Sequence, residues 1–226
     1  MTEKYIKNAD FNFILKQVAL IKDSYKKNAA PNVIQAVKDL ANMKIIELFP
    51  NATNEQKEML DLSALKTDQE YDKYIKQLQE YLLPFPKISE AQMKKMFPKN
   101  KKFKLPDLDK MNLHQLTYLS WVDISTNKKL IVFELDEKMV GIECKYTLLS
   151  KHNICSFCNR FGQVAYISTV TKAKKPKNPD YYKAIGNYIC FDSTECNKKI
   201  TNVDYLTTFL QESLGEKTRD FVEPTY

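Results

Sequence analysis

From Asp10, a residue suited to cap a helix, the apolar positions Phe11, Ile14, Val18, Ile21 and Tyr25 recur at steps of three and four. That spacing places them on one stripe of a helix ending near Asn28. Pro31 suits the first turn of a second helix, whose stripe runs Ile34, Val37, Ala41, Ile45 and Leu48 until Pro50 stops it. Thr53 with Gln56, and Thr67 with Glu70, are capping-box pairs that open two more helices. The second of these carries Tyr71, Ile75, Leu78 and Leu82 up to Pro84. Four helices joined by short loops predict an antiparallel bundle over residues 1–84, with these apolar positions as its core.

Past Pro84-Phe85-Pro86-Lys87, read as a domain boundary, the pattern changes. Ser89 with Gln92 opens a short helix through Phe97, inside a connector from Lys87 to Lys110 that holds eight Lys. The apolar period then becomes two. Leu116 to Ile124, Lys129 to Leu135 and Val140 to Leu148 are β-rich runs separated by polar turns, which predicts a three-stranded antiparallel meander over about residues 112–150.

Cysteine spacing brings in chemistry. The chain has five cysteines; two residues separate Cys155 from Cys158, five separate Cys190 from Cys196, and 31 separate the pairs. Two short-range chelating pairs supply the four soft ligands of a tetrahedral zinc site at low chain-closure cost. Asn159, Arg160, Phe161 and Gly162 turn the first pair into a knuckle; Val164 to Thr171 and Tyr181 to Ile189 fit the arms of a hairpin; a helix follows Cys196. Knuckle, hairpin and helix are the order of a treble-clef finger, expected over about residues 151–215. With four sulfur ligands no position stays open for water or substrate, so the expected cofactor is one structural zinc ion. Iron fits less well, since rubredoxin-type sites use two similar knuckles. Cys144 reads as a buried strand residue, and His114 and His152 as ordinary side chains, with His152 the one substitute donor near the knuckle.

On the last helix, opened by Thr201 and closed by Gly215, Val203, Leu206, Leu210 and Leu214 define the inward stripe. Tyr205 and Phe209 fall on a flank roughly 100° from its centre. They either form a docking patch, which Tyr188 could join, or pack against the meander.

Charge adds an asymmetry. Residues 1–84 carry 12 Lys and 12 acidic groups, and residues 85–226 carry 23 basic and 16 acidic groups, the whole of the net +7. This describes a neutral packing module joined to one that either meets an acidic partner or displays solvated Lys. Four Lys between Lys172 and Lys177 form a cationic hairpin tip able to touch phosphates or carboxylates. Only Arg160 and Arg219 are Arg, which disfavours specific DNA readout. Four scattered glycines exclude a phosphate-binding loop, and no nucleophile, base and orienter can be nominated, so no enzyme is expected. Neither a membrane span nor a signal-peptide plan is visible, and the chain reads as cytoplasmic. The fold class is thus α+β: an N-terminal antiparallel four-helix bundle, then in residues 85–226 the basic connector, the β-meander and a C-terminal four-Cys treble-clef zinc finger with a mobile tail.

With this order of modules, and with Tyr188-Ile189-Cys190 and Cys196-Asn197-Lys198 in the second half of the cysteine pattern, the chain resembles the FusB-type fusidic acid resistance proteins, also called elongation factor G-binding proteins. Tyr81-Leu82-Leu83-Pro84-Phe85, Phe103-Lys104-Leu105-Pro106 and Trp121 carry the likeness further, which spans the chain from the first helix to about Leu214. The chain is expected to be a monomer that binds neither specific DNA nor membrane, and the resemblance implies that its finger docks on the C-terminal domains of elongation factor G (EF-G). It implies transient contact with the ribosome, from which such proteins promote release of fusidic acid-trapped EF-G. The family's contact positions carry over to Tyr188 and Phe209, with Tyr205 beside them. An aromatic before the first Cys is Ile154 here; a Lys three before the Tyr is Ile185, with Lys183 nearby. The alternative is an RNA- or ribosome-binding zinc protein with a general translational role, using Lys94 to Lys104 and Lys172 to Lys177.

Overall fold

The computed structural model describes residues 3–98, 106–171 and 183–215 of the 226. The Phe103-Lys104-Leu105 stretch, the Lys172–Lys177 tip, the start of the second hairpin arm at Tyr181 and the tail from Glu216 lie outside the described residues. The chain divides into two units, Met1–Pro84 and Phe85–Tyr226.

In the first unit α1 (Asn8–Lys26) and α2 (Pro31–Glu47) pair, followed by α3 (Asn54–Leu60) and α4 (Asp68–Leu78), which runs into a 3-10 turn at Gln79–Tyr81. Phe11, Ile14, Val18 and Ile21 from α1 meet Ala41 and Ile45 from α2 and Tyr71, Tyr74, Leu78 and Leu82 from the fourth segment in one core. Both capping boxes form: Thr53 accepts from Gln56 N at 3.2 Å, and Thr67 from Glu70 N at 3.2 Å. Three details differ from the periodicity. Asp10 stands inside α1, where its carboxylate accepts from Lys7 N at 3.3 Å and serves the first turn from within. Tyr25 and Leu48 are exposed, Leu48 lying just past the end of α2 at Glu47. Asn28, at φ 50°, terminates α1 in the left-handed region that Asn tolerates.

The second unit opens with α5 (Glu90–Met96), capped by Ser89, which accepts from Gln92 N at 3.2 Å. Three strands follow, β1 (Leu119–Asp123), β2 (Lys128–Leu135) and β3 (Lys138–Leu148), then the two-residue β4 (Asn153–Ile154) and β5 (Phe161–Gly162), the hairpin arms β6 (Val164–Val170) and β7 (Ala184–Cys190), and helices α6 (Ser193–Asn197) and α7 (Asp204–Leu214). The meander and the finger's hairpin are one sheet. Its order is β1-β2-β3-β6-β7, antiparallel throughout, with β3 joined to β6 from Lys145↔Ser168 to Leu148↔Ala165. Sequence periodicity separates the two pieces because pairing between β3 and β6 is a tertiary fact. Alternation gives the sheet two cores. Leu119, Leu130 and Val132 pack with Phe85, Ile88, Met93 and Phe97 on one face. Ile131, Phe133, Leu135, Ile142 and Cys144 pack on the other with the four metal-pattern cysteines, Phe157, Ile200, Leu206 and Leu210. On the first face Phe97 meets Trp121 edge-on at 5.8 Å and lies against Gly141, where an added Cβ would come within 2.6 Å of its ring. A side chain at Gly141 would therefore force the Phe97 ring to shift.

Candidate metal centre

Four elements deliver the four sulfurs. Cys155 leaves β4, Cys158 ends the knuckle, Cys190 is the last residue of β7, and Cys196 sits within the short helix α6, ahead of the final helix α7. The knuckle is closed by Asn159 N donating to Cys155 O at 2.8 Å and Cys155 N to Arg160 O at 2.9 Å, with Asn159 left-handed at φ 53°. Cys190 N donates to the Cys155 sulfur at 3.2 Å, which links the two halves directly.

All four cysteines are buried and free, and their sulfurs lie within 4.8 Å of one another. Cys155 and Cys196 sulfurs are 3.8 Å apart, and those of Cys158 and Cys190 3.7 Å. Sulfurs at about 2.3 Å from a central zinc stand roughly 3.8 Å from each other on the edges of a tetrahedron, so the donor set has the size and the softness zinc requires. Packed this closely, the thiols do not ionise independently. Hydrogen bonding, from Cys158 above all, holds Cys155 far down, while the neighbouring Cys155 sulfur, before other causes, drives Cys190 and Cys196 up. A divalent cation resolves that conflict by favouring four thiolates at once. Neither histidine belongs to the cluster; the His152 ring lies 5.8 Å from that of Phe161. Cys144 is buried in the sheet outside the group, and burial pushes its thiol up to about 12.

Two buried polar residues tie the centre to the sheet; the sequence marks Asn197 only as part of the Cys196-Asn197-Lys198 likeness and does not mark Lys129 at all. The Asn197 Oδ1 accepts from Thr117 N at 2.7 Å and Tyr118 N at 3.1 Å, while its Nδ2 donates to Tyr118 O at 2.9 Å and Ser193 O at 3.0 Å. The residue after Cys196 thus clasps α6 to the chain entering β1. Lys129, from β2, is 1% exposed and donates from Nζ to Phe191 O at 2.9 Å, with the Phe191 ring 5.7 Å away. Burial lowers its ammonium to about 8, against the upward pull of Cys196, Asp192, Cys144 and Cys190.

Around the knuckle an apolar surface faces solvent. Ile154 is 54% exposed, Phe161 72%, Tyr188 36% and Tyr205 39%. Ile154 and Phe161 are cross-strand partners, Ser156 N donates to Tyr188 O at 2.8 Å, and Asn187 beside Tyr188 donates to the Tyr205 hydroxyl. Tyr166, opposite Tyr188, extends the patch with ring centroids 5.5 Å apart. Lys183 is exposed at the start of the described part of the second arm and pairs with Glu212 at 3.5 Å. Phe209 corrects the helical-wheel placement. It is 4% exposed and packs edge-on against Phe157 at 5.9 Å, under Tyr205. The wheel misplaces it because α7 is covered on two sides: the sheet takes the Leu206 and Leu210 stripe, and the knuckle residue Phe157 takes the flank. Phe161 and Tyr166 are absent from the sequence-based set; their alternation within short β-runs gives no sign of which face stays open.

A two-core sheet bearing a four-thiolate knuckle, hairpin and helix defines a treble-clef zinc-finger protein with an appended helical unit. Family comparison matches residues 5–86 to the N-terminal domain of elongation factor G-binding protein and residues 92–219 to the FBP C-terminal treble-clef zinc-finger. The chain belongs to the elongation factor G-binding protein family, and its cysteine cluster serves one structural zinc ion. Among solved structures it is similar to the fusidic acid resistance protein FusC, at 27% identity and a TM-score of 0.75, over 92% of this chain and 97% of that one. Curated proteins give no match. No helix among the described residues is long and apolar enough to cross a membrane.

Proposed function

We propose that this chain binds EF-G through the surface around the zinc knuckle and protects translation from fusidic acid by promoting release of EF-G from drug-stalled ribosomes. Cys155, Cys158, Cys190 and Cys196 hold the zinc, and the metal fixes the knuckle that displays Ile154 and Phe161 beside Tyr188 and Tyr205. The single observation that carries this reading is that exposed apolar and aromatic patch on a metal-braced scaffold, the kind of rigid anchor set that protein interfaces use. Family membership and the likeness to FusC support the partner. Phe209 acts from beneath, holding Phe157 and Tyr205 in place, and Lys183 lies at the rim. The protein acts as a cytoplasmic monomer without catalysis: it binds one state of EF-G more tightly than another and thereby shifts the population off the ribosome.

Calorimetric titration of the zinc-loaded protein with EF-G tests the reading. A complex at micromolar concentration is expected, lost in Tyr188→Ala with zinc content unchanged, and absence of any complex would refute it. Release is tested separately by following labelled EF-G on ribosomes held with GDP and fusidic acid. Faster dissociation on addition of the protein is expected. Binding that collapses at high salt and survives Tyr188→Ala would instead favour the RNA-binding alternative, since counterion release governs contacts with phosphates.

A further inference from the structure

Four thiolates around a divalent cation leave a net dianion inside an apolar core, and an unbalanced buried charge is costly. The same core contains one cation that the zinc-ligand pattern does not explain. Lys129 occupies a β2 position directly opposite Cys144, on the face with Ile131 and Phe133 that packs against the finger. Its side chain is fully buried, and among the described residues no carboxylate forms an ion pair with it. Its one hydrogen-bond acceptor is the carbonyl of Phe191, the residue that follows Cys190. The electrostatic neighbours it feels are Cys196 first, then Asp192, Cys144 and Cys190. Burying a lysine without a carboxylate partner is rarely tolerated unless another negative charge is close.

We propose that Lys129 is the counter-cation of the zinc tetrathiolate, a positioning residue that stabilises the dianion through space and anchors the Cys190 arm through Phe191 O. Charge compensation lowers the electron-donor energy of the sulfurs and resists their capture by protons or competing chelators, so it slows loss of zinc. The meander then contributes to the metal site as well as to the fold: β2 brings the cation, and the finger brings the anions.

The proposal rests on the four-cysteine ligand set but not on EF-G binding. Its test uses the full-length zinc-loaded protein and three variants, Lys129→Met, Lys129→Gln and Lys129→Arg, with zinc transfer to a chromogenic chelator followed over time. Outer-shell partners of metal ligands alter affinity by about 10- to 100-fold. Methionine and glutamine variants are therefore expected to release zinc at least roughly ten-fold faster, with arginine restoring retention towards the parent. In the cobalt-substituted proteins the sulfur-to-metal charge-transfer band is expected at longer wavelength for the two uncharged variants and near the parent position for Lys129→Arg. Should Lys129→Met fail to fold, Lys129→Gln, which keeps a donor for Phe191 O, carries the comparison. Parent-like zinc retention and spectrum in Lys129→Gln would overturn the proposal. So would equal loss in the glutamine and arginine variants, because charge would then not be the cause. A parent protein that carries no zinc removes the ligand assignment itself, a failure distinct from the others.

Discussion

Each of the four sulfurs is one corner of the metal site, so Cys158→Ser replaces a thiolate by a hydroxyl that holds zinc poorly. The expected outcome is a protein with less than one zinc by elemental analysis and a second unit that no longer melts cooperatively. Away from the metal, Asn197 satisfies four backbone groups with one amide. Asn197→Ala leaves buried donors and acceptors without partners, and a loss of about 3 kcal/mol in chemical denaturation is expected. Tyr188 and Phe209 separate surface from core. Tyr188→Ala removes an exposed ring and should leave the stability in chemical denaturation within about 0.5 kcal/mol, as for surface substitutions generally. Phe209→Ala empties a packed position and should cost about 3–5 kcal/mol. Lost EF-G binding in Phe209→Ala therefore has to be compared with its lost stability, whereas in Tyr188→Ala it reports the surface alone.

At the level of elements, the helix starts of the first unit are set by short-range chemistry. Thr67 and Glu70 satisfy the orphan amides opening α4, with Glu70 Oε2 accepting from Lys66 N at 2.6 Å and Thr67 N at 2.8 Å. Those backbone donors, Lys66 first, hold the Glu70 carboxyl below its ordinary range. A carboxyl depressed by folding contributes stability that is present above its unfolded pKa and fades as pH falls through the folded value. Thermal melts of Glu70→Gln and the parent should therefore differ most near neutrality and converge in acid below the carboxylate range. Thr67→Ala should cost about 1 kcal/mol, the usual effect of losing an N-cap. These caps were readable in the sequence because donor and acceptor lie three residues apart. Asp10 was misplaced for a related reason: an acidic residue serves equally as a cap or at the third helical position, and only the backbone tells which. The knuckle belongs with the caps, since two residues between cysteines leave little freedom to the turn.

For the molecule as a whole, metal and fold are linked in the second unit, where Cys155, Cys158, Cys190 and Cys196 share one core with Ile131, Phe133 and Ile142 from the sheet. Thorough chelation is expected to abolish the calorimetric transition of the second unit and leave that of the first, whose core contains no cysteine. Persistence of both transitions after complete zinc removal would contradict this linkage. The amino-acid order by itself determined the helix stripes, the capping boxes, the three meander strands and the cysteine set, because each is written in separations of a few residues or in a spacing that one metal geometry explains. Tertiary structure alone decided that β3 pairs with β6, that Phe209 turns inward while Phe161 and Tyr166 stay open, and that Lys129 lies by the thiolates. Those outcomes depend on which surfaces meet across long stretches of chain, and local periodicity encodes which face of an element is apolar without encoding what will cover it.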